Sequence, residues 1–355
     1  MRNTASQEAG SSGQLVTDAG SLRPMVSVLL PTFNRATFLP GALEAIRSQT
    51  FGNWELIVVD DGSTDESREI VATFAASSPN PVRYVKQVNQ GPYAARNTAV
   101  DLAAGRYLAF YDSDDVWFPD HLANCADALS RNADVDWVYA ACRIVEYATG
   151  RIVAPSTFVI DNHLRPFRLL PVEIRGPVHV LDPKGLVECA LVHGMYCGLQ
   201  NSVLRRSVFD NARFQVAYRN EAEDQLFLIR ALKRGHRLAY LDEVQVQYHT
   251  HDGNSSGSST AQRTVERQLA LFQPVVRGLE ELQQEVALTR SERRAMNQRL
   301  NREYFWHLGY SVYLSNGRPA EALIAFRRGL RAWPWSARCW KTYAVAALRT
   351  RINRA

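Results

Sequence analysis

From residue 26 onward, short apolar runs alternate with stretches of helical spacing, and several of the runs end in clustered polar side chains. "VSVLLPTF" reads as a strand, and "FLPGALEAIRSQT" places Leu39, Leu43 and Ile46 at helical spacing. "WELIVVDDGS", "VRYVKQ" and "RYLAFYDSDD" read as further strands, separated by helices over "DESREIVATFAA" and "GPYAARNTAVDLAA". Strands alternating with helices of this length imply a parallel sheet with helices on its faces. Ligands in such sheets bind beyond the carboxyl ends of the strands. Three strand ends carry polar groups: Thr32, Asn34 and Arg35; Asp60 and Asp61; Asp112, Asp114 and Asp115. The pattern brings all three to one edge.

The rest of the chain is less regular. "DWVYAACRIVEY" and "VEIRGPVHVL" read as strands separated by a Pro-rich loop. "GLVECALV" reads as a helix, followed by a short apolar stretch and a turn through "LRRSVFD". "EAEDQLFLIRALKRG" is an amphipathic helix whose acidic start suits the helix dipole. "HRLAYLDEVQVQYHTH" reads as strand pieces, "DGNSSGSSTAQ" as a loop or linker, and everything beyond about 261 as helical. In that last region Trp306, Tyr313, Ala322, Phe326, Gly329 and Pro334 are followed by Trp340, 34 residues after Trp306. The spacing resembles one tetratricopeptide repeat over 302–355; the alternative is an ordinary helical hairpin closing the domain, since stability normally needs three repeats or more.

Composition excludes some classes. No apolar run approaches the roughly 18 residues a membrane span needs. "MRNTASQEAGSSGQLVTDAGSLRP" has no apolar core and reads as a disordered segment over 1–24, not as a signal peptide. Five cysteines without CxxC pairs suggest buried, reduced thiols and a cytoplasmic setting. The net charge is +5, and no acidic residue follows Glu321, whereas that tail carries Arg327, Arg328, Arg331, Arg338, Lys341, Arg349, Arg351 and Arg354. Such a tail suits an anionic membrane surface, at the inner face of the membrane, or a partner; the plainer alternative is a solvated helix face. Nothing resembles a nucleic-acid recognition module.

Asp112-Ser113-Asp114-Asp115 is the sharpest chemical signal. Carboxylates this close repel unless a cation offsets them, and hard oxygens suit Mg²⁺ or Mn²⁺. Mg²⁺ keeps one or two protein carboxylates and fills its other positions with water and substrate phosphates, so the cluster predicts a diphosphate ligand. The alternative is that Asp115 or Ser113 caps a helix beginning near Pro119.

The segments "VSVLLPTFNRATFLPGALEAIRSQTFGNWELIVVDDGSTDES", "NQGPYAARNTAVDLAAGRYLAFYDSDDVWFPDHL" and "EAEDQLFLIRALKRGHRLAYLDEVQVQYHTHDGNSS" together resemble the family 2 glycosyltransferases. The resemblance covers about residues 25–257 and implies a GT-A fold: an α/β, Rossmann-like, mixed and mostly parallel sheet flanked by helices. Residues 25–133 would form the nucleotide-binding half and 134–257 the acceptor half, followed by the helical region 258–355. It implies that Pro31, Thr32, Phe33, Asn34 and Arg35 form the floor of the nucleotide site, with Phe33 against the base. Asp61 would accept from the uracil NH; the alternative is the carboxylate of an Asx turn in "DDGS". Arg96 and Asn97 would line the diphosphate; an Arg there neutralises phosphate, while the plain alternative is an ordinary helix Arg. Asp112 and Ser113 would belong to the donor site. Asp114 would face ribose or metal, Asp115 would be the principal ligand of Mn²⁺ or Mg²⁺, and His251 would touch metal or phosphate. His249 stands where the family often has Arg, and a His is mostly neutral at pH 7.

Transfer of a sugar to a hydroxyl also needs a base, and one carboxylate suffices for direct displacement with inversion. "EAED" supplies Glu221, Glu223 and Asp224. The resemblance assigns the base to Asp224, with Glu223 as its neighbour; the alternative is a set of plain helix-start acids. It implies an inverting transferase that takes a nucleotide-sugar donor, with UDP as the nucleotide. "CGLQNS", Cys197–Ser202, would line the acceptor side. The acceptor would be a glycan, lipid-linked or protein, in surface polysaccharide biosynthesis. A sugar nucleotidyltransferase would need a Gly-rich loop that "LLPTFNR" lacks, and a degenerate scaffold would have lost Asp115 or Asp224.

Overall fold

The computed structural model describes residues 15–17, 23–218, 223–251 and 264–352. The N-terminal part follows the alternation: β1 (Leu15–Thr17), β2 (Val26–Thr32), α1 (Leu39–Arg47), β3 (Trp54–Asp60), α2 (Ser67–Ser77), β4 (Val82–Lys86), α3 (Pro92–Leu102) and β5 (Tyr107–Phe110). Then come β6 (Val116–Trp117), α4 (His121–Arg131), β7 (Trp137–Glu146), β8 (Ile152–Ala154), β9 (Val159–Ile160) and β10 (His163–Leu164). β11 (Val172–Arg175), β12 (Val178–Leu181), α5 (Leu186–Val192), β13 (Ser202–Arg205), α6 (Glu223–Lys233) and β14 (Leu238–Thr250) complete the sheet region. The helices α7 (Val265–Glu285), α8 (Arg290–Asn301), α9 (Pro319–Ala332) and α10 (Ala337–Ile352) follow.

One mixed sheet runs in the order β1-β4-β3-β2-β5-β13-β7-β14-β12-β11. Its parallel core is β4-β3-β2-β5. β3 and β5 are buried along their whole length, as strands covered on both faces must be. Alternate side chains feed opposite layers: Leu29, Ile57 and Phe110 face the side of α3, α5 and α6, while Val28, Val58 and Ala109 face α1, α2 and α4. The backbone turns sharply into α3 through Gly91, whose φ is +94°, and Pro92 supplies the first helical residue without needing its missing N–H.

Three readings change. Leu15–Thr17, inside the segment expected to be disordered, pair antiparallel with β4; the rest of 1–22 lies outside the described residues. The stretch taken as a turn at "LRRSVFD" contributes the end of a strand, β13, antiparallel to both β5 and β7, followed by a 3₁₀ turn at Arg206–Phe209. The pieces in "HRLAYLDEVQVQYHTH" are one long strand, β14, parallel to β7 with bulges between Leu241 and Val246. The expected linker at 252–262 and Glu221 lie outside the described residues.

All five cysteines are free and buried. The C-terminal helices are tied to the sheet region by Arg230 to Glu285 at 3.0 Å and Lys233 to Glu292 at 2.7 Å. α8 begins with a capping box, Thr289 and Glu292 bonding each other's backbone N–H. It continues as a π-helical segment, Arg302–Tyr313, against which α9 lies very close: a Cβ on Gly309 would sit 2.6 Å from the Phe326 ring. Phe305 and Phe326 stack with centroids 4.2 Å apart. Among the described residues, no helix is long and apolar enough to cross a membrane.

Candidate active site

The strand-end clusters do converge. The first is the turn after β2. Asn34 adopts φ +51°, a left-handed conformation that Asn tolerates better than most residues. Its backbone N–H donates to Ser63 Oγ at 2.9 Å and its Oδ1 accepts from Thr64 N–H at 2.8 Å. The first and second strand ends are thereby fastened together. Thr32 is buried and its carbonyl accepts from Asp61 N–H at 2.8 Å, while Phe33 is 46% exposed. Pro31 lies within β2 beside Val59 of β3.

The two aspartates of "DDGS" have different partners. Asp60, not Asp61, closes the turn, accepting from Ser63 N–H at 2.7 Å and from the Tyr84 hydroxyl. Asp61 is buried and reaches the loop before α3. Its Oδ1 accepts from Gln87 Nε2 at 2.8 Å and Gln90 N–H at 2.9 Å, and its Oδ2 from Gly91 N–H at 2.7 Å.

The third cluster is the turn after β5. Asp115 N–H donates to the Asp112 carbonyl at 3.0 Å, and the Tyr111 hydroxyl donates to the Asp115 carbonyl at 2.8 Å. Ser113 is buried in this turn. The helix that follows starts at His121 with Asp120 in the cap position, so neither Asp115 nor Ser113 caps it. The Asp112 carboxylate is paired with Arg96 Nη2 at 2.6 Å. Asp114 meets Arg35 at 3.6 Å and His251 Nε2 at 3.0 Å. Asp115 is 1% exposed: its Oδ1 accepts from His249 N–H at 3.1 Å, but its buried Oδ2 has no partner among the described residues. Burial first, then the Asp114 and Asp112 charges, push its carboxyl pKa well above the ordinary range.

β14 supplies the cover. His249 Nδ1 lies 2.7 Å from the Asp114 carbonyl. His251 stacks on Phe38 at 4.9 Å, and Tyr147 stands edge-on to both histidines. Phe38 and Tyr147 carry no sequence signal of their own; Tyr147 enters because the register of β14 against β7 sets Thr250 beside Glu146, and Phe38 enters from the cap position of α1.

The α6 acids diverge. Glu223 is buried and binds inward, accepting from Arg230 Nη1 at 2.8 Å and Gln215 N–H at 2.7 Å. Asp224 is half-buried, and burial pushes its carboxyl pKa up, opposed by Arg96 and assisted by Asp112. Tyr93 stands beside it. Arg96, itself buried, thus touches Asp112 and lies within electrostatic reach of Asp224, with its Nε unpartnered. Asn97, one residue on, turns elsewhere: its side-chain amide donates to the Phe214 carbonyl and accepts from Phe214 N–H, both at 2.9 Å.

The residues present fit a divalent cation. An orphaned carboxylate oxygen on Asp115, flanked by two more carboxylates and the His251 imidazole, is a hard donor set short of positive charge. Among the described residues no group of three or more His, Cys, Asp or Glu side chains is arranged to hold a metal ion.

Comparison with known proteins gives a consistent picture. Residues 27–227 match the family described as Glycosyl transferase family 2. A putative glycosyltransferase EpsH of Bacillus subtilis is 30% identical over 236 residues, 64% of this chain and 61% of that protein. A UDP-Glc:alpha-D-GlcNAc-diphosphoundecaprenol beta-1,3-glucosyltransferase, WfgD of Escherichia coli, is 31% identical over 143 residues, 40% of this chain and 55% of that one. The chain spans about half the length of the curated relatives it matches, 46% in a Mycobacterium bovis PGL/p-HBAD biosynthesis glycosyltransferase. Among solved structures, S. aureus TarS 1-349 in complex with UDP-GlcNAc superposes with a TM-score of 0.61 at 20% identity, covering 86% of this chain and 81% of that one. The mannosyltransferase PcManGT from Pyrobaculum calidifontis, in complex with GDP-Man and Mn2+, superposes at 0.51 with 19% identity, covering 92% and 81%.

Proposed function

The chain belongs to glycosyl transferase family 2, and from that premise we propose that it moves a sugar from a UDP-sugar to an acceptor hydroxyl with inversion, in the synthesis of a cell-surface glycan. The observation that carries this reading is Arg96. One buried guanidinium holds Asp112 at 2.6 Å and reaches Asp224, so the carboxylate turn and the α6 acid serve one site.

Asp224 takes the proton of the acceptor hydroxyl. The freed oxygen attacks the anomeric carbon as the bond from that carbon to the diphosphate oxygen breaks on the opposite face. Burial tunes Asp224 for this, since a carboxyl raised towards neutrality is a better base than an exposed one. Arg96 and Arg35 supply positive charge beside the leaving diphosphate. Asp115 and Asp114, with His251, would hold Mn²⁺ or Mg²⁺, which when bound neutralises the departing diphosphate as a Lewis acid. Phe33, exposed at the end of β2, offers its ring to the base, and Asp61 keeps lone pairs beyond its three protein donors for the uracil NH. A lipid-linked acceptor is supported by the relative that acts on a diphosphoundecaprenol sugar.

The test is calorimetric titration with UDP, with and without Mn²⁺, on the wild type and Asp115→Ala. Metal-dependent binding that the substitution abolishes is the expected result. Binding of GDP or dTDP in place of UDP would overturn the donor assignment, and no nucleotide binding at all would overturn the catalytic reading.

A further inference from the structure

The last helix is built for a surface that the rest of the protein does not provide. α10 packs on α9 through Cys339 and Ala346, both buried, with Tyr343 at the edge of that contact. Its opposite side is open. Val345, Leu348 and Ile352 are 44%, 61% and 63% exposed and stand at i, i+3 and i+7, so they form one stripe. Trp340, about half exposed, flanks the stripe on one side. A solvated helix would put polar groups there.

The charges frame the stripe. Arg349 falls along one border of it, Arg351 along the other, and Lys341 continues it one turn towards the N-terminal end; all three are exposed, while the Arg338 guanidinium lies over the Trp306 ring at 4.7 Å. No acidic residue follows Glu321, which sits in the first turn of α9 and pairs with Arg318, so α10 carries none. On α9 the outward residues Arg327 and Arg331 extend the same sign of charge. Trp335, at the tip between the two helices, is 81% exposed. An apolar stripe bordered by cations, with an indole at the helix start and another at the tip, is the pattern of a helix lying in a bilayer interface. A protein partner would need acidic complementarity but not this bordering; the uniform positive charge matches a sheet of anionic headgroups.

We propose that α10 docks the protein on an anionic lipid bilayer, with Val345, Leu348 and Ile352 seated among the acyl chains and the arginines on the headgroup phosphates. The glycosyl-transfer site is on the other side of α7 and α8 from this helix in sequence and draws no residue from it. The docking is therefore independent of the donor chemistry.

Flotation of the full chain with vesicles of phosphatidylcholine alone, or with about a third phosphatidylglycerol, tests this. The expected result is binding to the anionic vesicles only, weakening as salt is raised. Arg349→Gln with Arg351→Gln should reduce the partition coefficient roughly 25-fold, from about fivefold per charge removed. Leu348→Glu with Ile352→Glu should abolish binding while leaving the circular dichroism spectrum unchanged, because both side chains are already exposed. Equal binding to neutral vesicles, or anionic binding that survives both double variants, would overturn the proposal. So would a wild-type dimer that the Leu348 and Ile352 variant dissolves, since the stripe would then belong to a second copy.

Discussion

Replacing Asp115 by Asn should make the metal-free protein more stable, not less. Most substitutions at a 1% exposed position destabilise. Asp115 differs because its Oδ2 is buried without a partner and two more carboxylates share its turn. Asn keeps an oxygen for the His249 N–H and removes the charge. A buried polar group left unsatisfied costs about 1–3 kcal/mol and a charged one more; the Asn amide stays buried, so what is recovered is the excess due to the charge, about 2 kcal/mol. That corresponds to a rise in Tm of roughly 4–8 °C for a domain of this size. Asp60 is the control: equally buried, but with Oδ1 satisfied by Ser63 N–H at 2.7 Å and Oδ2 by the Tyr84 hydroxyl. Asp60→Asn should lower the Tm. Thermal unfolding in EDTA at neutral pH, followed by circular dichroism, reads both. If the two variants shift the Tm in the same direction, the turn is not short of positive charge and the argument for a cation there fails. With Mn²⁺ and UDP added, the order should reverse, since only the wild type gains stability by binding.

Asp224 must be ionised to act, and its pKa is raised from 3.8, so the acid limb of kcat should lie above that value and activity should fall as pH drops through it; Asp224→Asn should lower kcat by about 10²–10⁴ with UDP affinity unchanged, and a limb at or below the ordinary aspartate range would refute the assignment. Asn97→Ala removes both bonds to Phe214 and should loosen the segment leading to α6, lowering kcat while UDP affinity holds; titration and steady-state kinetics separate this from a direct nucleotide contact, for which affinity would fall first.

The N-terminal part of the sheet was legible because its physics is local. Apolar runs buried on both faces stand out, and so do the polar residues where they stop: Thr32, Asp60 and Asp112 each mark a strand end. What sequence could not decide is which way neighbouring side chains turn. Asp60 and Asp61 look alike in "DDGS", yet one closes the turn and the other anchors Gly91. Glu223 and Asp224 look alike at a helix start, yet Glu223 is committed to Arg230, seven residues on, and Asp224 faces Arg96. β13 was missed because four residues are too few to show a periodicity, and the 3₁₀ turn at Arg206–Phe209 follows without a break. The face of α10 was half legible: its charge was evident, but the exposed stripe required knowing that Cys339 and Ala346 are the contacts to α9.

β13 also dictates when the site can exist. It lies between β5 and β7 in the sheet, bonded to both. Until Ser202–Arg205 has been synthesised, β5 remains a bare sheet edge. Asp115 waits longer still, for the His249 N–H, 134 residues further along. Loop closure over such distances is slow relative to local pairing. A nascent chain therefore completes its parallel core early and assembles the pocket last. A chain stopped short of β14 would lack the strand that joins β12 and β11 to β7, and would leave its acids uncovered.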